Sequence, residues 1–409
     1  MTRYTRRASL GLGLGLLATA CGGGGSGGSG GGSTGGGGTP APSPTPSPTP
    51  APAPTPTASG SIAASAAAKG ISFGSVVAWS QPNVDAGSFA NPDYAALLER
   101  DAAVLVAENE MKWEAIRPTQ NTFDFARGDD IVAYARRENM RMRGHTLLWY
   151  VEERFPGWLE SYDYGPNPRA EAERIVREHV TRVADHYRND IASWDVVNEA
   201  IDPATGNLRR HSMSAAVNND PSLLDLAFRT ARETLPSAEL VYNDYMDWGT
   251  PTHRQGVLEL LRGFRDRGVP VDTLGIQSHI GFYSDGSAQS IVDYQTPFMR
   301  EWLDDIVALG YKLKITEMDI NDRNRAGTIA SRDADAAVLA RGWLDLLLSY
   351  DECDEVLLWG MCDRYSWLQD FGAARPDGTE LRPCPYDSDF QPKPLRDAYI
   401  EAFEAASAR

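Results

Sequence analysis

Two glutamates stand at the ends of short apolar runs: Glu199 closes Trp194-Asp195-Val196-Val197-Asn198-Glu199, and Glu317 follows Leu313-Lys314-Ile315-Thr316. A carboxyl at a strand end is held in place by the strand beneath it, which suits chemistry needing two fixed carboxyls. Breaking a glycosidic bond is such chemistry: one carboxyl protonates the leaving oxygen while the other stabilises or attacks the cationic sugar carbon. A lone Glu in this position is more often a helix-start residue or an ion-pair partner. Here both have polar escorts. Asn198 can offer its amide to a sugar 2-hydroxyl, and His279 can hydrogen-bond a nucleophilic carboxylate while Asp319 fixes the imidazole tautomer. Lys112 is one of only five lysines in a chain that otherwise uses arginine, which points to a place where a compact ammonium is tolerated. Trp149, Trp359 and Trp367 present flat apolar faces suited to pyranose rings, or to a core.

The elements that would position these groups are eight short, β-branched runs alternating with stretches of helical period: 71–78, 103–107, 141–148, 193–197, 240–243, 273–277, 312–316 and 355–359. Alternation of this kind predicts an α/β fold, either a closed parallel barrel or an open doubly wound sheet. The polar residues favour the closed form. Runs end in Glu108-Asn109-Glu110-Met111-Lys112-Trp113, His145 with Trp149, Asn198-Glu199, Asp244-Tyr245, Gln277-Ser278-His279, Glu317-Met318-Asp319 and Trp359 with Trp367. In a (β/α)8 TIM barrel these ends converge on one rim, whereas an open sheet spreads them along an edge.

Ahead of this pattern the chain reads differently. Arg3, Arg6 and Arg7 precede an apolar run from Leu10 to Ala20, too short to span a membrane and suited to a signal peptide. Ala18-Thr19-Ala20-Cys21 resembles a bacterial lipoprotein cleavage site, although Leu17 lies one place further from the cysteine than that pattern has it, and Ala-Thr-Ala also suits ordinary signal peptidase. From Gly22 to Gly60 the residues are almost all Gly, Ser, Thr, Pro and Ala, a flexible and then stiffer spacer that buries nothing. The expected layout is a signal peptide over 1–20, a linker over 21–60 and one catalytic domain over 61–409. The chain is expected to be exported and lipid-anchored through Cys21 at the cell envelope, or else simply secreted. A net charge of −17 argues against nucleic acid or an anionic membrane surface as partner and is compatible with a neutral substrate.

Taken together, Glu108 to Trp113, Arg143 to Trp149, Trp194 to Glu199, Tyr242 to Tyr245, Gln277 to His279, Ile315 to Asp319 and Trp359 to Trp367 resemble, in family order, the motifs of glycoside hydrolase family 10, the endo-β-1,4-xylanases. The resemblance covers roughly 72–403. It implies a TIM barrel, a retaining double displacement without metal or cofactor, and xylan and xylo-oligosaccharides as partners; a monomer is expected. By the same resemblance Glu199 is the acid/base and Glu317 the nucleophile, with the two carboxyls about 5 to 5.5 Å apart. Glu108, Asn109, Lys112, His145, Trp149, Asn198, Gln277, Trp359 and Trp367 are implied on the glycone side and Tyr245 at the first leaving-group site, with His279 expected beside the nucleophile at the substrate.

The chain departs from the family in two places. After Trp149 it reads Tyr150-Val151-Glu152-Glu153-Arg154-Phe155-Pro156, where the family commonly has a histidine and a shorter passage with a glutamine, so contacts two sugars from the cleavage point are altered. Cys362 replaces the usual Ser or Thr. Cys353 and Cys362 flank a strand and, at about 3.3 Å per residue, are too far apart to bond, so Cys362 with Cys384 is the expected disulfide. Three other readings compete: a retaining barrel glycosidase acting on cellulose or mixed-linkage glucan, a non-catalytic glycan-binding barrel, and a metal-dependent hydrolase with His145, His279, Glu317 and Asp319 as ligands.

Overall fold

The apolar runs form parallel strands that close on themselves. In a computed structural model that describes residues 60–246 and 248–409, they are β1 (Ser72–Val77), β2 (Val104–Ala107), β3 (Arg141–Trp149), β4 (Ile191–Asn198), β5 (Glu239–Asp244), β6 (Thr273–Ile276), β7 (His279–Gly281), β8 (Lys312–Asn321) and β9 (Cys353–Leu358). Strands β1 to β6 pair in order, β1 pairs β9, β9 pairs β8, and pairing of β6 with β8 closes the ring. The result is the expected eight-stranded barrel, since β7 resumes the line of β6 after Gln277-Ser278 and pairs β8 nearer its end, His279 opposite Asp319. The extra pairing carries β8 to Asn321, so Glu317 and Asp319 lie within a strand and not just beyond one. The leader, Cys21 and the linker as far as Ser59 lie outside the described residues.

The first helices are α1 (Ile62–Ala67), α2 (Pro92–Asp101), α3 (Trp113–Ile116), α4 (Ala126–Arg137) and α5 (Pro168–His186). They are followed by α6 (Ser212–Ala216), α7 (Ser222–Thr234), α8 (Pro251–Asp266), α9 (Ala288–Ala308), α10 (Ile329–Leu347) and α11 (Pro394–Ala405). Helix α2 shows how the sequence sets them. Asn91 accepts from the Asp93 amide at 3.1 Å, Pro92 takes the first turn where no N–H is missed, and Tyr94, Leu97, Leu98 and Asp101 make one buried stripe. At its end the buried Asp101 carboxylate accepts from the Ile62 amide at 3.0 Å and pairs with Arg396 at 3.0 Å, so α1, α2 and α11 share one ionic knot.

Period two divides each strand between two interiors. On β2, Leu105 and Ala107 join the large core under the helices, while Val104 and Val106 join Val76, Leu357 and Trp359 in a small cluster inside the barrel. Elsewhere the inward positions carry charge. Lys314 meets Glu239 at 3.1 Å, Asp354 at 2.8 Å and Glu355 at 3.5 Å, and Arg143 makes two hydrogen bonds to Asp195. Such a network holds only while every member is paired, because a buried charge left alone costs several kcal/mol. Gly144 is needed beside it: a Cβ there would fall 2.2 Å from the Trp194 ring.

The expected Cys362–Cys384 disulfide is not formed. Both are buried free thiols, and Cys362 donates its S–H to the Asp387 carbonyl at 3.0 Å. The segment is pinned by charge instead: Asp363 accepts from the Cys384 amide at 2.9 Å and from Lys393 at 3.0 and 2.8 Å.

Candidate active site

Strand register gathers the polar strand ends. Trp149 of β3 lies opposite Asn198 of β4, and Asn198 lies opposite Asn243 of β5, making one row along the rim. The Asn198 amide, turned so that both of its ends are satisfied, accepts from the Trp149 indole N–H at 3.2 Å and donates to the Asn243 carbonyl at 3.1 Å. Glu199, one residue further, has φ of 55°, a left-handed conformation that costs a non-glycine residue about 1 kcal/mol or more. Its neighbours hold it there. The Glu199 amide donates to the Asn243 carbonyl at 2.9 Å, Arg209 Nε donates to the Glu199 carbonyl at 2.9 Å, and the Ala200 amide donates to the Tyr242 hydroxyl at 3.2 Å. The half-buried Glu199 carboxylate then accepts from Gln277 Nε2 at 2.9 Å. Burial and the charge of Asp244 raise its pKa, hydrogen bonds from Gln277 and Trp149 offset part of this, and Glu317 adds to the rise.

Glu317 is buried in different company. Asn243 Nδ2 donates to its Oε1 at 2.7 Å, and Thr316 fixes that amide by donating to Asn243 Oδ1 at 2.6 Å. His279 Nε2 lies 3.4 Å from Oε2, and His145 Nδ1 lies 3.9 Å from Oε1. Burial works against the charged form, but His145, His279 and Asn243 outweigh it and hold Glu317 below its ordinary pKa. His279 is anchored in turn: its Nδ1 lies 3.0 Å from Asp319 Oδ2, which also accepts the Trp367 indole N–H at 2.7 Å. Burial disfavours the imidazolium, yet Asp319 and Glu317 lift His279 to about 10. Its ring is aimed by Ser278, which takes a φ of 67° and whose hydroxyl accepts from the Trp343 indole at 3.0 Å.

The remaining expected residues surround this pair. Trp359 and Trp367 stand edge-on to the imidazoles, with ring centres 5.3 Å between His145 and Trp359 and 5.1 Å between His279 and Trp367. Lys112 donates to Asn109 at 2.9 Å and sits 5.0 Å from the Trp149 ring centre. Burial raises the pKa of Glu108, which Lys112 counters and Glu110 reinforces. Tyr245 accepts from Arg209 at 2.6 Å on the other side of Glu199. Asn243, Arg209 and the Arg143–Asp195 pair are neighbours of the site that sequence reading did not single out, and Asp244 was read only as a polar strand end. Asn243 and Asp195 lie inside motifs, and Asn243 shares the inward parity of Glu239 on β5. Arg209 has no such signal, since a bridge between Ile201 and Leu208 folds it back toward Glu199.

His145, Asp195 and Glu317 also bring three potential ligand atoms within 4.8 Å of one another. Asp195, however, already spends both oxygens on Arg143 and one on His145 Nδ1 at 2.9 Å, so the cluster is a completed hydrogen-bond network. Two carboxyls whose surroundings drive their pKa values apart are the arrangement in which one carries a proton and the other a charge. On a barrel rim lined with indoles and amides, that arrangement defines a glycosidase-type site.

The chain belongs to glycosyl hydrolase family 10, whose sequence profile matches residues 61–402. It is 31% identical over 309 residues to the beta-1,4-xylanase of Dictyoglomus thermophilum, covering 73% of this chain and 82% of that one. It is also 31% identical over 322 residues to endo-1,4-beta-xylanase A of Thermoanaerobacterium saccharolyticum, covering 76% of this chain but only 26% of that much longer protein. Among solved structures, xylanase 10B of Thermotoga petrophila in complex with xylobiose superposes with a TM-score of 0.73 at 26% identity, covering 85% of this chain and 98% of that one.

Proposed function

We propose that this chain is a retaining endo-1,4-β-xylanase that hydrolyses internal bonds of xylan and xylo-oligosaccharides. Glu199 gives its proton to the leaving glycosidic oxygen as the Glu317 carboxylate attacks the anomeric carbon. The bond from that carbon to the leaving oxygen breaks, and a glycosyl ester of Glu317 forms. Water then attacks the same carbon, Glu199 takes the water's proton, and the ester bond breaks to return Glu317 and release a sugar of retained configuration. Glu108, Asn109, Lys112, His145, Trp149, Asn198, Gln277, Trp359 and Trp367 hold the glycone, Tyr245 meets the first leaving-group sugar, and His279, kept charged by Asp319, steadies the nucleophile.

The observation that carries this reading is the pair of carboxyls on one rim, Glu199 accepting from Gln277 at 2.9 Å and Glu317 accepting from Asn243 at 2.7 Å with His279 Nε2 3.4 Å away, in surroundings that raise the pKa of the first and lower that of the second. The names of the relatives supply the substrate. The test is product release from xylan and from carboxymethyl cellulose, with chelator present, by the parent and by Glu199→Ala and Glu317→Ala. Xylo-oligosaccharides from the parent alone are the expected result. Activity confined to the glucan would move the substrate and keep the mechanism, and full activity in either variant would remove that residue from its role. Loss of activity to the chelator would favour the metal-dependent alternative.

The leader and linker extend the proposal to location. Export ends with a lipid on Cys21, and residues 21–60 act as the spacer that holds the barrel away from the membrane. The mass of the mature N-terminus tests this, and Cys21→Ser is expected to release the protein from the membrane fraction. A mature chain without lipid would leave simple secretion.

A further inference from the structure

Arg154 sits in the segment that departs from the family pattern, at the end of the short helical turn Glu152–Arg154. Its guanidinium lies 4.6 Å from the centre of the Trp149 ring, and Lys112 lies 5.0 Å from the same ring, so two cations share one indole. They are not equally provided for. Lys112 donates to Asn109 at 2.9 Å and feels the charges of Glu108 and Glu317, although burial and Arg154 push its pKa down. The half-buried Arg154 side chain has no hydrogen bond or ion pair among the described residues. The adjacent Glu152 is turned away, accepting from the Ser212 amide at 3.2 Å, and Glu153 is exposed.

A guanidinium stacked on an aromatic face keeps its N–H fork directed sideways, the geometry that matches a carboxylate bidentately. Trp149, which carries it, also reaches the catalytic row through Asn198. On the xylanase reading, which puts Trp149 on the glycone side, the fork stands at that end of the cleft. The chain as a whole has a net charge of −17 and repels an acidic polysaccharide, so a fixed cation within reach of the substrate is what makes an acidic branch acceptable.

We infer that Arg154, braced by Trp149 and flanked by Lys112, determines specificity by binding the carboxylate of a hexuronic acid branch on the xylan chain. This rests on the xylanase reading above. The test compares kcat/KM on glucuronoxylan with that on the same polymer after its uronic carboxyls have been reduced to alcohols, for the parent, Arg154→Gln and Arg154→Lys. Carboxyl reduction is expected to lower the parent's kcat/KM by about fivefold at low salt, the scale of one partly exposed ion pair, and by less at high salt. Arg154→Gln removes the difference between the two polymers, whatever its activity on either, and Arg154→Lys restores part of it. A parent that treats the two polymers alike, or an Arg154→Gln variant that keeps the parent's ratio, overturns the inference. Linear xylo-oligosaccharides separate the two levels: a parent that cleaves them but ignores carboxyl reduction loses only this inference, and a parent inactive on every xylan loses both.

Discussion

Replacing Asp319 by Asn keeps the shape of the side chain and removes its charge, and the consequence can be followed atom by atom. Asp319 Oδ2 lies 3.0 Å from His279 Nδ1 and accepts from Trp367 at 2.7 Å, a bond that an asparagine oxygen still accepts. What is lost is the partner that, with Glu317, lifts His279 to about 10 against the effect of burial. A hydrogen bond to a charged group contributes about 1.5–3 kcal/mol, and one pKa unit corresponds to about 1.4 kcal/mol, so the imidazolium is weakened by roughly one to two units. His279 therefore gives up its proton at a lower pH in the variant, on the alkaline side, while it stays an imidazolium where carboxylates titrate, so its support for the ionised Glu317 is unchanged at acid pH. Glu317 works ionised, so activity is lost as the pH falls through its pKa, and that acid limb is expected to stay in place or move slightly down, since a negative charge has left its surroundings. The assay is the titration of the His279 ring followed by NMR, beside the pH profile of kcat/KM on an aryl xylobioside whose leaving group needs no proton. In Asp319→Asn the imidazole titration is expected to move down by about one to two pH units with no rise in the acid limb. An imidazole titration coincident with the parent's would show that Asp319 does not hold the His279 proton.

Two further predictions concern the barrel beneath the site. Lys314→Met leaves Glu355 and its neighbours without their shared cation, which should lower unfolding free energy by about 3 kcal/mol, with much of the loss recovered when Glu355 is also made Gln; urea denaturation of the two variants measures both. Gly144→Ala forces a methyl to within 2.2 Å of the Trp194 ring and should cost at least about 1–3 kcal/mol; an unchanged urea midpoint would mean the strand shifts freely at this point.

The strands were legible because apolar β-branched runs and helical stretches announce themselves locally, and all eight expected runs are strands of the barrel. The site was legible for a related reason. Polar side chains directly after such runs have no place in a core, and closing the barrel brings them to one rim. Glu199, Glu317, Gln277 and His279 could therefore be placed on one rim from type and position alone.

Their working state depends on partners far away in the chain. Asn243 reaches Glu317 across 74 positions and Gln277 reaches Glu199 across 78, and these contacts with the surrounding burial separate the two carboxyls in pKa. The left-handed turn at Glu199, the continuation of β8 past Glu317 and the seating of Arg154 on Trp149 follow from pairing and packing, which no local pattern encodes. The cysteines mark the same boundary. Separation along the chain excluded Cys353 as a partner of Cys362, but only the folded loop, with Asp363 held by Lys393 and the Cys384 amide, left both remaining thiols free. Sequence by itself determined which residues stand at the ends of strands, because that is a matter of near neighbours. Tertiary structure decided which of them touch and which proton each one keeps, because charge and burial act through space.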